Sequence, residues 1–214
     1  TSHEEYRDLA VRYQKGENVD FPVLDMEIEK DVQLEELAKM GEDLMYGTEY
    51  TPADPEGALE YLLAAADKGH RKAQFEMGMA HATGTGTDKD MKTAFRFFKL
   101  AADQGHDISQ AFVGETYLEE PVDIEKALLY LTLASDQGNA AAQRNLGFLH
   151  ASGNGVPQDM KKAVAFFKAA SVQDDWEALS TLATCYITGA GVDVNEDTAL
   201  QLLVRADSLG HHEA

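Results

Sequence analysis

Residues 140–173 read AAAQRNLGFLHASGNGVPQDMKKAVAFFKAASVQ, and this stretch decides the fold. Ala142, Leu146 and His150 recur at i, i+4 and i+8, one stripe of a helix. Gly147 inside that helix costs roughly 1 kcal/mol of propensity relative to Ala, so its presence points to a close approach by another helix. Ala151-Ser152-Gly153 ends the helix, and Gly153-Asn154-Gly155 turns the chain, since glycine tolerates positive φ. Asp159 then suits the N-cap of a second helix, which places Ala163, Phe166, Phe167 and Ala170 on its buried side. The stretch is a helical hairpin.

The same pattern recurs along the chain. Met40-Gly41, Met77-Gly78, Val113-Gly114, Leu146-Gly147 and Leu182-Ala183 follow one another at steps of 37, 36, 33 and 36 residues. A second marker, the closing position at Gly69, Gly105, Gly138, Gln173 and Gly210, keeps the same phase. Asp54, Asp90, Asp123, Asp159 and Asn195 fall at the N-cap slot, with Ala58, Ala94, Ala127, Ala163 and Ala199 four residues on. Tyr61, Phe97, Tyr130, Phe166 and Leu202 follow three residues later, and this small-then-large alternation suits interlocking helices. A lone hairpin cannot bury its apolar face, so neighbours must stack. The expectation is an all-α fold: an α-solenoid of stacked antiparallel hairpins wound as a right-handed superhelix, monomeric and extended.

The unit resembles the Sel1-like repeats, a branch of the TPR-like solenoids, whose pattern runs roughly A-x-x-x-L-G-x-x-Y-x-x-G-x-G-V-x-x-D-x-x-K-A-x-x-W-x-x-K-A-A-x-x-G-H. Ala142 to Gly147, Gly153 to Val156, Asp159 to Ala163 and Phe166 to Ala170 carry the likeness, and Ala73 through His106 follows it almost as well. The third unit departs: it is shorter, and Glu119-Glu120-Pro121 replaces the Gly-x-Gly turn. The first unit lacks the second glycine, and the fifth has Ala183 in place of Gly. The units are expected at 36–70, 71–106, 107–138, 139–173 and 174–210. Residues 1–35 read either as a degenerate repeat or as an N-terminal cap. Residues 211–214 read as the start of a further repeat, so the natural chain is expected to continue. The resemblance implies an adaptor or scaffold for protein partners in assembly, secretion, signalling or host interaction.

Formal net charge is −20, from 38 acidic and 18 basic side chains. Nucleic acid and anionic membrane surfaces are repelled at long range, and a basic protein or peptide is the better-matched partner. No run of 18 apolar residues exists to span a membrane. Cys185 is the single cysteine, which excludes an internal disulfide. The location stays open between cytoplasm and periplasm.

Candidate chemistry is sparse. His70, His106 and His211 share one repeat position, which spaces them along the solenoid too far apart for one ion. His81 and His150 occupy the slot of Tyr117 and Tyr186 and read as packing aromatics. Cys185 lies mid-helix with no activating base placed by the pattern. Gly84-Thr85-Gly86 and Gly189-Ala190-Gly191 lack the preceding strand and the Lys-Ser/Thr of a phosphate loop, so no cofactor site is read. Trp176 reads either as a packing residue or as a surface anchor. No nucleophile–base constellation forms, and the chain is read as a non-enzyme. Polysaccharide binding and a cell-wall or β-lactam-type hydrolase are the alternatives. The expected partner surface is the concave face lined by each first helix: Lys39, Asp43, Glu76, Phe112, Thr116, Asn145, Leu149, Thr181 and Cys185. A helix phase one position different gives Phe75, Met79, Glu115, Arg144 and Phe148 instead.

Overall fold

A computed structural model describes residues 27–50, 52–119 and 121–210. Among them are ten α-helices and no strand: α1 (Glu27–Tyr46), α2 (Pro55–Asp67), α3 (Arg71–Thr83), α4 (Met91–Asp103), α5 (Asp107–Thr116), α6 (Ile124–Asp136), α7 (Ala140–Ser152), α8 (Met160–Ser171), α9 (Trp176–Thr188) and α10 (Glu196–Gly210). They pair in order as five antiparallel hairpins, and each second helix packs on the next first helix. The result is an α-solenoid. Of residues 1–35, read as a degenerate repeat or an N-terminal cap, those from Glu27 onward are continuous with the first hairpin's leading helix. The rest of that segment, residues 1–26, lies outside the described residues.

Packing within a hairpin rests on glycine. A Cβ on Gly41, Gly78, Gly114 or Gly147 would lie 2.6, 2.6, 2.7 or 2.5 Å from Leu62, Phe98, Leu131 or Phe167 respectively. All four receiving side chains are buried. These knobs sit one position past the Tyr61, Phe97, Tyr130 and Phe166 set expected from the pattern. The doublets Tyr61-Leu62, Phe97-Phe98 and Phe166-Phe167 put two large residues side by side, and the structure chooses the second. The alanines at 58, 94, 127, 163 and 199 are buried against the paired helix.

Capping follows two lines. Asp54, Asp90, Asp123 and Asp159 accept the first-turn amides of the second helices, and Asn195 accepts from the Thr198 amide at 2.9 Å. Their own amides donate to the carbonyls of Leu44, His81, Tyr117, His150 and Tyr186, which closes each loop back onto its first helix. The first helices carry a second line: His70, His106, Asn139 and Asp175 cap α3, α5, α7 and α9. His81 stacks on Phe97 and His150 on Phe166, with ring planes 5° and 12° apart. Tyr117 stacks on Tyr130 in the same way. The residue closing the fourth hairpin in the left-handed region is Asp174, at φ 62°, one past the Gln173 that the alignment selects.

Between hairpins a side-chain ladder runs along the stack. Gln74 and Gln110 are buried, and their Nε2 atoms donate to the Ala66 and Ala102 carbonyls at 3.0 and 3.1 Å. Gln104 and Gln137 in turn donate to the Gln74 and Gln110 Oε1 atoms, and Gln173 donates to Gln143. Leu179 occupies the equivalent place in the fifth hairpin, and the junction there is ionic. Arg144 reaches Asp175 at 2.7 Å and Glu177 at 3.0 Å.

Candidate functional site

The first helices form one layer. The packing of Gly41, Gly78, Gly114 and Gly147 on the second helices fixes how each first helix is rotated. Met79, Glu115, Phe148 and Thr184, each one residue past that small residue, are thereby turned to solvent. Position 149, one further on, turns inward: Leu149 joins Leu146 and Leu131 in a core cluster flanked by Tyr117 and Leu118. Cys185 is buried likewise, and burial pushes its thiol up from the usual range, away from the thiolate a nucleophile needs.

The expected surface residues divide accordingly. Lys39 and Asp43 are exposed on α1. Glu76 is buried, and its carboxylate accepts the Tyr46 hydroxyl at 2.6 Å, which ties α3 to α1. Thr181 is half-buried on α9. The remaining four line two cavities. Asn145 and Leu149, with Leu118, Phe148, Ala151, Ser152 and Asn154, line one of about 490 Å³. Phe112 and Thr116, with Met91, Phe95, Glu115 and Glu119, line one of about 270 Å³. Of the one-position alternative, Glu115 and Phe148 line these cavities, Met79 is exposed, and Phe75 is half-buried against the His106 and Phe98 rings.

Both cavities adjoin the end of α5. This helix has 10 residues where α3, α7 and α9 have 13, so the three residues missing from the third unit are one turn of helix. Leu118, just past the shortened end, faces one cavity and Glu119 the other. In the regular hairpins the loop after the first helix reaches back over the start of the preceding second helix. A Cβ on Gly86 would collide with the Pro55 carbonyl, one on Gly155 with the Ile124 side chain and one on Gly191 with the Met160 carbonyl. Only glycine permits both that approach and the left-handed φ of these three residues. The third hairpin has no such glycine, and Met91, the matching residue at the start of α4, is 47% exposed where Pro55, Ile124 and Met160 are half-buried.

Asn145, Ser152, Asn154, Glu115, Thr116 and Glu119 are the polar side chains lining the cavities. The Asn145 Nδ2 is enclosed and has no hydrogen-bond partner, as have the Nδ1 atoms of His81 and His150. The Thr116 hydroxyl donates to the Phe112 carbonyl. Glu115 lies 4.0 Å from Arg144, whose guanidinium already serves Asp175 and Glu177. No group of three or more His, Cys, Asp or Glu side chains is placed to hold a metal ion among the described residues, and no described helix is long and apolar enough to cross a membrane. His70 and His106 instead turn Nδ1 to the Ala73 and Ser109 amides. Trp176, at the start of α9, is 51% exposed.

Stacked helical hairpins carrying a grooved face define an α-solenoid of the repeat-protein class. Five consecutive segments, 37–70, 71–106, 108–139, 140–175 and 176–211, match the Sel1 repeat, and the chain belongs to that family. DAP3-binding cell death enhancer 1 of Rattus norvegicus is 32% identical over 172 residues, covering 62% of this chain and 34% of that protein. The chitin synthase regulator SKT5 of Saccharomyces cerevisiae is 30% identical over 168 residues, covering 72% and 24%. The chain thus spans about a third or less of these relatives. Among solved structures, a Sel1 repeat protein from Oxalobacter formigenes superposes with a TM-score of 0.77 at 24% identity, covering 98% of this chain and 84% of that one. A protective antigen of uropathogenic Escherichia coli gives 0.73 at 26%, covering 85% and 39%.

Proposed function

We propose that this chain is a non-enzymatic scaffold that holds a protein or peptide partner on the concave, first-helix face of the solenoid, across the interruption at the third hairpin. The observation that carries this reading is the pair of adjoining cavities beside the shortened α5, with the Phe148 side chain 40% exposed at the larger one. A large aromatic at the mouth of an apolar cavity is the arrangement of an interaction anchor. The curated relatives are named as a binding protein and as a regulator, which supports an adaptor role. With a net charge of −20, the partner is basic, and the scaffold itself is a monomer.

Cross-linking of a captured partner, with the linked residues mapped by mass spectrometry, tests the reading. Links should cluster on α5 and α7, and Phe148→Ala should release the partner while Leu129→Ala, on the exposed side of a second helix, retains it. Links confined to the second helices, with binding unchanged in Phe148→Ala, would overturn it.

A further inference from the structure

The smaller cavity has a composition that specifies one kind of side chain. Its walls are Met91, Phe95 and Phe112, all apolar, and its rim carries the Glu115 and Glu119 carboxylates. At about 270 Å³ it falls below the roughly 300–1,000 Å³ of small-molecule pockets, which suits a single long side chain of a polypeptide. The cavity also results from a departure from the repeat pattern. Elsewhere the glycine turn of the next hairpin covers this place, and the third hairpin, one helical turn shorter, leaves it open.

We propose that this notch is a specificity pocket for a lysine or arginine side chain of the partner, a reading that rests on the first-helix face being the docking surface. The side chain lies along the notch, with its methylene stem against Met91, Phe95 and Phe112. The cation meets Glu115 and Glu119 at the rim. A purely apolar side chain would shield those two carboxylates from water and give nothing in return, a net cost. Glu115 has only the distant Arg144 guanidinium, and no ion pair to Glu119 is seen among the described residues. The neighbouring cavity of about 490 Å³, past Leu118, receives an apolar side chain of the same segment. The recognised element is therefore a basic residue followed or preceded by an apolar one, laid across the end of α5.

Selection of phage-displayed random dodecapeptides on the full chain tests this. Enriched peptides should share a Lys or Arg beside a large apolar residue. Synthetic versions should bind Glu115→Gln/Glu119→Gln roughly fivefold to tenfold more weakly, the loss expected for two rim charge pairs. Replacing the basic residue of the peptide by norleucine should cost as much in the wild type and nothing further in the double variant. Peptides displaced by Phe148→Ala that lack a basic residue, or that bind the double variant unchanged, would sink the notch while leaving the docking face standing. A selection that enriches no peptide counts against the notch, and peptides indifferent to both variants count against the notch and the face together. Far-UV circular dichroism of each variant shows that the helices persist.

Discussion

Gly147→Ala puts two opposing effects on one atom. Alanine in a helix interior is worth about 1 kcal/mol over glycine, so propensity alone makes the substitution stabilising. The added Cβ would stand 2.5 Å from Phe167 Cε1 and 2.8 Å from Cδ1, about 1 Å inside the optimum carbon–carbon separation of roughly 3.5–4.0 Å. Phe167 is fully buried and in edge contact with Phe148 at 5.2 Å between ring centroids, so the ring has little room to retreat. Overpacking of this kind costs about 1–3 kcal/mol, and the balance is a net loss of up to about 2 kcal/mol after the propensity gain. For a chain of this length that lowers Tm by up to about 8 °C. Guanidinium unfolding followed by far-UV circular dichroism and by Trp176 fluorescence measures it. In a Phe167→Leu background the same substitution should cost less by at least about 0.5 kcal/mol, the signature of directly coupled sites. A Gly147→Ala protein that is more stable than the parent by about 1 kcal/mol would refute the account of the recurring glycine as a close-approach residue.

Three further substitutions have defined outcomes. His106 caps α5 through its unprotonated Nδ1, and burial holds its imidazole below the usual range, so the unfolded chain binds the proton more readily. Its contribution is complete above about pH 6.5 and fades as pH falls below that value, and His106→Asn, the residue type at Asn139, should flatten the decline between pH 7 and 5 in urea titrations. Arg144→Ala leaves the Asp175 carboxylate, 9% exposed, without its cation, and should cost roughly 2–3 kcal/mol, read as faster amide exchange confined to α9 and α10. Gly191→Ala faces both a positive φ of 75° and the Met160 carbonyl, and should cost at least about 2 kcal/mol in thermal unfolding.

The repeat itself was legible because glycine, cap aspartate and alanine markers recur in phase, and each has one physical job that the structure displays. The residue of each doublet that fills the glycine gap was not legible: Phe166 and Phe167 have the same chemistry, and only the crossing of the two helices decides between them. The second cap line was in view as the residue after Gly69, Gly105 and Gly138, and in the fourth unit it follows Asp174. Its histidines are unusual caps, however, and only Asn139 and Asp175 carry the ordinary signal. The groove was least legible. The short third unit and its absent glycine turn stand plainly in the sequence, yet the residue they uncover, Met91, belongs to the preceding hairpin. Its exposure is a property of two units together, which no periodic alignment of single units contains.

A surface made of identical units is degenerate to an extended ligand: whatever fits three consecutive hairpins fits the next three after sliding by one. The missing turn of α5 removes that degeneracy, because among the described hairpins one place has an open floor at Met91 and a shortened helix above it. The deletion works as the zero mark on a ruler. On the docking face proposed above, it sets where a bound chain starts, and every other hairpin then measures distance from it.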